Sequence, residues 1–114
     1  MTVPFDKTIT VYSRDNDNKW QRTVITGVYY GLENKTVSSD NGNKNTPSRT
    51  VIVPTEKPVI NTGDYVILGN IIIPELTDAK SGNMIIANGG WLVRYVENNI
   101  YPGCRLSNLK VSEV

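Results

Sequence analysis

Trp20-Gln21-Arg22-Thr23-Val24-Ile25-Thr26-Gly27-Val28-Tyr29-Tyr30-Gly31-Leu32 is the stretch whose reading decides the fold. Its residues suit a long strand, and Gly27 interrupts it from within. A glycine inside a strand pattern marks a bulge or a sharp bend. A strand bent in this way can serve two edges of a small barrel. Upstream, residues 7–13 alternate with a period of two: Ile9 and Val11 point one way, Thr8, Thr10 and Tyr12 the other. Between the two strands lies Arg14-Asp15-Asn16-Asp17-Asn18-Lys19, wholly polar and able to adopt the left-handed conformations of a hairpin loop. The first two strands are therefore expected to be antiparallel neighbours.

Further strands are expected at residues 49–53, stopped by Pro54, at 65–68 after the turn Asn61-Thr62-Gly63-Asp64, and weakly at 84–87. Asn88-Gly89-Gly90 reads as a hairpin turn before an alternating strand at 91–97. Glu97-Asn98-Asn99 reads as a turn, and a last strand is expected at 104–111. The one plausible helix is 74–81, with Pro74 at its first position and Gly82 beyond its end. Composition agrees with this. Val, Ile and Thr supply 35 of 114 residues, whereas there are two Ala and six Leu. The expected fold is all-β: a single domain over residues 1–114, a small β-barrel or sandwich of six to eight strands, with one long polar loop and at most one short helix. That loop is placed at residues 35–48. Its core, Ser38-Ser39-Asp40-Asn41-Gly42-Asn43-Lys44-Asn45-Thr46-Pro47-Ser48, has no apolar side chain larger than proline, so it is expected to be mobile and functional.

The chemistry-bearing residue types are sparse. There is no histidine, which removes the commonest general base and zinc ligand together. The net charge of +1 gives no overall field towards nucleic acid or an anionic membrane. No apolar run approaches the length of a membrane span, and residues 1–6 carry no pattern of a secretory signal. Cys104 is the single cysteine, read as buried and inert, so no internal disulfide is expected. Ser107-Asn108-Leu109-Lys110 and Ser39-Asp40-Asn41 spell elements of penicillin-recognising enzymes, but in reversed order and without Lys-Thr-Gly. Asp15-Asn16-Asp17-Asn18 lacks the glycine and glutamate of a calcium loop at the required spacing, having Trp20 and Thr26 there. Glu33, Asp64, Glu75 and Asp78 are scattered. The expectation is no catalytic residue, no metal, no cofactor and no enzymatic activity.

One pattern is familiar. The strand Thr8-Ile9-Thr10-Val11-Tyr12, the element Trp20-Gln21-Arg22-Thr23-Val24-Ile25-Thr26-Gly27-Val28, a polar insertion, Arg49-Thr50-Val51-Ile52-Val53-Pro54 and Gly63-Asp64-Tyr65-Val66-Ile67-Leu68-Gly69 follow one another. Over residues 7–112 this order resembles a family of short head–tail joining proteins of tailed bacteriophages and prophages. The resemblance implies a head-completion, stopper-type neck protein in the virion, made in the cytoplasm of the host bacterium. It implies a ring of twelve or six copies between the portal connector and the tail terminator or tail tube, with packaged double-stranded DNA passing through the lumen. Lys35, Ser38, Asp40, Asn41, Lys44, Asn45 and Arg49 are then candidates for a subunit interface or lumen loop. Lys35, Lys44 and Arg49 would repeat around the ring and multiply a modest charge near DNA. The alternatives are a tail terminator or minor capsid protein of the same module, or a small nucleic-acid-binding β-barrel using rings such as Tyr12, Trp20, Tyr29, Tyr30, Trp91 and Tyr95.

Overall fold

The computed structural model describes residues 5–39, 42–55, 57–101, 103–104 and 106–113. Seven antiparallel strands, β1 (Lys7–Arg14), β2 (Trp20–Ser39), β3 (Gly42–Pro54), β4 (Tyr65–Leu68), β5 (Trp91–Leu92), β6 (Tyr95–Asn99) and β7 (Asn108–Ser112), form one curled sheet in the order β5-β4-β1-β2-β3-β7-β6. The chain is thus mostly β and barrel-like, as its composition predicts. The outermost strands, β5 and β6, are consecutive in sequence. Val93 and Arg94 join them, with the Val93 main chain bonded to Asp64 and Gly63 beside β4 and the Arg94 N–H donating to Ser112 on β7. Curling brings the two borders of the sheet together at that link.

Gly27 does what its position suggests. Thr26 lies opposite Thr8 and Val28 opposite Lys7, so Gly27 is the extra residue of a bulge, with a φ of 71°. Up to Val28 β2 pairs with β1; from Tyr29 onwards it pairs with β3. Inside the curl Ile9, Val11, Val28, Val51, Val53, Ile60, Val66, Trp91, Val93, Leu109 and Val111 pack into one buried cluster.

β1 is buried on both faces. Ile9 and Val11 face the curl, whereas Tyr12 joins a second cluster with Ile67, Ile73 and Ile85, flanked by Trp20, Tyr65 and Leu76. The segment from Gly69 to Gly90 supplies this outer layer. Thr10, fully buried, donates its hydroxyl to the Gly69 carbonyl (2.6 Å) and accepts from the Ile71 N–H (3.0 Å). Tyr12 donates to the Ile71 carbonyl at 2.8 Å. The polar atoms of the second face are therefore spent on fixing the turn that begins the outer layer.

Several expectations need correction. The helix is not at 74–81 but at α1 (Asn83–Ala87), where a weak strand was expected. In 74–81 only Leu76 is shielded from solvent, so a helix there would have had almost nothing to bury, while α1 buries Ile85 completely. Asn88-Gly89-Gly90 ends this helix instead of turning a hairpin: Asn88 and Gly90 donate to the Ile85 carbonyl, and Gly89 has a φ of 96°. Glu97, Asn98 and Asn99 lie within β6 and not in a turn. The last strand begins at Asn108 because Cys104 and Leu106 belong to a turn closed by Ser107 N–H donating to the Cys104 carbonyl.

The polar segment at 35–48 is no irregular loop. β2 and β3 stay paired from Tyr29 opposite Ile52 to Ser39 opposite Gly42. Low apolar content bears on burial, but a main-chain ladder needs none, and this hairpin continues the pairing of two strands packed in the body.

Candidate assembly surface

The β2–β3 hairpin leaves the body as an arm. β1 stops pairing at Val28 and β7 reaches β3 only from Thr50. Between these limits and the hairpin end, β2 and β3 have only each other as strand partners among the described residues. The rungs from Asn34–Pro47 to Ser39–Gly42 extend about 20 Å at the usual rise per residue. The molecule measures 44 × 38 × 25 Å with a radius of gyration of 15.0 Å. A compact chain of this length would have about 13 Å.

The candidate interface residues divide along this arm. Lys35 lies opposite Thr46, Ser38 opposite Asn43, Lys44 opposite Val37, Asn45 opposite Thr36 and Arg49 opposite Leu32. Asp40 and Asn41 lie outside the described residues. The first four therefore share one two-stranded ribbon, and Arg49 marks its root.

Arg49, a candidate for the lumen charge, is ion-paired within the chain. Its Nε and Nη2 bind Glu113 Oε1 (3.0 Å) and Oε2 (2.9 Å), a bidentate pair, and its main-chain N–H donates to the same Oε1 at 2.9 Å. The Glu113 N–H returns a bond to the Arg49 carbonyl. The guanidinium stands 6.0 Å from the centre of the Trp91 ring, whose Nε1 donates to the Tyr30 hydroxyl at 2.9 Å. Arg49 holds the Glu113 carboxyl below its ordinary pKa, and the hydrogen bond to Glu113 raises that of Arg49. Arg49, Ile86, Gly90, Trp91, Leu92, Arg94 and Glu113 line a shallow cleft of about 250 Å³ here. Sequence reading missed Glu113, which is 64 residues from Arg49 and carries no local signal.

A larger cleft of about 440 Å³ is lined by Arg14, Trp20, Thr62, Gly63, Asp64, Tyr65, Ser81 and Gly82. Its groups are already engaged. The Arg14 guanidinium lies 4.1 Å over the Trp20 ring and donates to the carbonyls of Asn18 (2.6 Å), Asp78 (3.1 Å) and Lys80. Trp20 meets Tyr65 edge-on and donates its Nε1 to the Lys80 carbonyl. Asp64 Oδ2 accepts the Asn61 N–H at 2.9 Å, and burial pushes its carboxyl above the usual range.

Asp15, Asp78 and Glu33 are engaged within the fold as well. Asp15 caps the β1–β2 turn: Oδ1 accepts the N–H groups of Asp17 and Lys19, and Oδ2 accepts from Gln21. The bond from the Lys19 N–H lowers its pKa. Asp78 accepts the Trp20 N–H, and Glu33 pairs with Lys110 at 3.3 Å. Among the described residues no group of three His, Cys, Asp or Glu side chains is placed to hold a metal ion, and no helix is long and apolar enough to cross a membrane.

Residues 3–104 match a family of unknown function, DUF6751. No curated protein and no solved structure matches the chain.

Proposed function

The chain belongs to the DUF6751 family, and we propose that it is a non-enzymatic structural subunit of a tailed-phage neck. In this reading it is a head-completion or stopper-type protein that forms a ring of twelve or six copies. The ring joins the portal connector to the tail terminator or tail tube and helps retain packaged DNA. The observation that carries the reading is a two-stranded arm rooted in a rigid curled sheet. A ring subunit needs a body that keeps its shape and an extension that reaches a neighbour or the lumen. The root of the arm is held by the Arg49–Glu113 pair, so the ribbon is aimed from a fixed point.

Of the three cations first considered for the lumen, Arg49 has its charge matched by Glu113. The nucleic-acid-binding barrel is the weaker reading. Tyr12 and Trp91 are buried, and Trp20 is covered by Arg14 and Tyr65, so they offer no platform to a base.

The test is imaging of the purified chain mixed with portal–connector particles, alongside DNA retention in heads assembled without it. Ring density below the connector and leaking heads are expected. Bare connectors at saturating protein, or heads that hold their genome without it, would overturn the reading.

A further inference from the structure

The bulge at Gly27 decides which main-chain groups of β2 face outwards. Before it Ile25 lies opposite Ile9; after it Val28 lies opposite Lys7, so the alternation shifts by one residue. Beyond the bulge Gly31, Glu33, Lys35, Val37 and Ser39 turn their N–H and C=O groups towards β3. Tyr30, Leu32, Asn34, Thr36 and Ser38 turn theirs to the open side. The facing strand fixes the same parity independently. Arg49 donates its main-chain N–H to the Glu113 carboxylate and accepts the Glu113 N–H at its carbonyl, both on the β7 side, so Ser48 and Thr50, its neighbours, face β2.

The two borders of the arm are unequal. On β3 the next outward position after Arg49 is Pro47, which has no N–H, so that border is broken at its root. On β2 five outward positions follow one another without proline. Among the described residues no hydrogen bond from another strand to their outward main-chain groups is seen. A two-stranded ribbon is marginal alone, and an uninterrupted border of this kind is a template for a further strand.

We infer that residues 30–38 of β2 pair antiparallel with the same residues of a second copy of this chain, about a two-fold axis at Asn34. Charge selects the occupant and the register. With Asn34 opposite Asn34, Tyr30 meets Ser38, Leu32 meets Thr36, and Glu33 meets Lys35 twice, once on each side of the axis. Moving the axis by one residue sets Glu33 against Glu33 in one direction and Lys35 against Lys35 in the other. Opposite charges directly across an antiparallel pair stabilise it and like charges oppose it. Both arms then become one four-stranded antiparallel sheet, and Glu33 can bridge Lys110 of its own chain and Lys35 of the second copy. The pairing concerns the free protein and does not depend on the neck reading.

The test is mass by light scattering and sedimentation across the micromolar range, with circular dichroism to verify folding. The chain is expected at twice its monomer mass. Lys35→Glu should weaken the dimer about ten-fold or more, because it replaces two attractive pairs with two repulsive ones. The exchange Glu33→Lys with Lys35→Glu should restore it. Should the exchanged chain fail to fold after losing the contact with Lys110, cross-linking decides. In a Cys104→Ser background, Asn34→Cys should form a disulfide-linked dimer, since facing residues lie about 5.5 Å apart, whereas Thr36→Cys should not. A monomer throughout, an unchanged dimer in Lys35→Glu, or equal cross-linking at 34 and 36 would overturn the inference. A monomer that still rings the connector would sink this pairing alone. A dimer that ignores the connector would sink the neck reading alone.

Discussion

At the scale of single residues, two carboxyls oppose each other in their response to pH. Arg49 depresses the pKa of Glu113 in the folded chain, so its contribution is present above the unfolded value and is lost as pH falls through the folded one. Burial raises the pKa of Asp64, so its ionisation costs stability as pH rises from the unfolded value through the folded one. Glu113→Gln should therefore lower stability by about 1 kcal/mol near neutrality, the scale of a partly exposed bidentate pair, with the deficit vanishing in acid. Asp64→Asn should instead raise the melting temperature at neutral pH and leave it unchanged in acid, because an amide oxygen can still accept from Asn61. Melting both variants at several pH values checks the two opposite slopes. Neither effect was legible in the sequence. The partner of Arg49 is far along the chain, and the burial of Asp64 follows from a fold-back of the segment at 61–64 against Val93.

At the scale of elements, the bulge and the arm carry separate expectations. Gly27 has a φ of 71°, and a β-carbon built there would come no closer than 4.0 Å to the Phe5 carbonyl. Its replacement is therefore a matter of backbone strain and not of space. Gly27→Ala should cost about 1–2 kcal/mol, and Gly27→Asn less, because asparagine tolerates the left-handed region. Denaturant melts of the two variants compare them directly. Replacing residues 34–47 with Asn-Gly should leave the body folded within a few degrees of its original melting temperature, since among the described residues both buried clusters are built from the body. It should also abolish self-association. Much at this scale was readable beforehand: β1, β4 and the bulge follow from alternation and a single glycine. The arm and α1 were not. Polarity predicts what can be buried and is silent on main-chain pairing, and the run Met84-Ile85-Ile86 fits a strand and a helix equally until Ile85 is seen packed over β4.

At the scale of the whole molecule, protection should fall steeply from body to arm. Amides of β1, buried on both faces, should exchange at the slowest rates in hydrogen–deuterium exchange, and those of residues 34–39 and 42–46 much faster in the monomer. Uniform protection along β2 in a monomeric sample would contradict this division. A sheet ordinarily begins to fail by fraying at whichever border is weaker. Here the two outermost strands are joined by Val93 and Arg94 alone. That link acts as a clasp: neither flank can peel away without dragging the other from a different neighbour. The body should consequently open in one cooperative step, and a chain nicked at the clasp should come apart from both flanks at once.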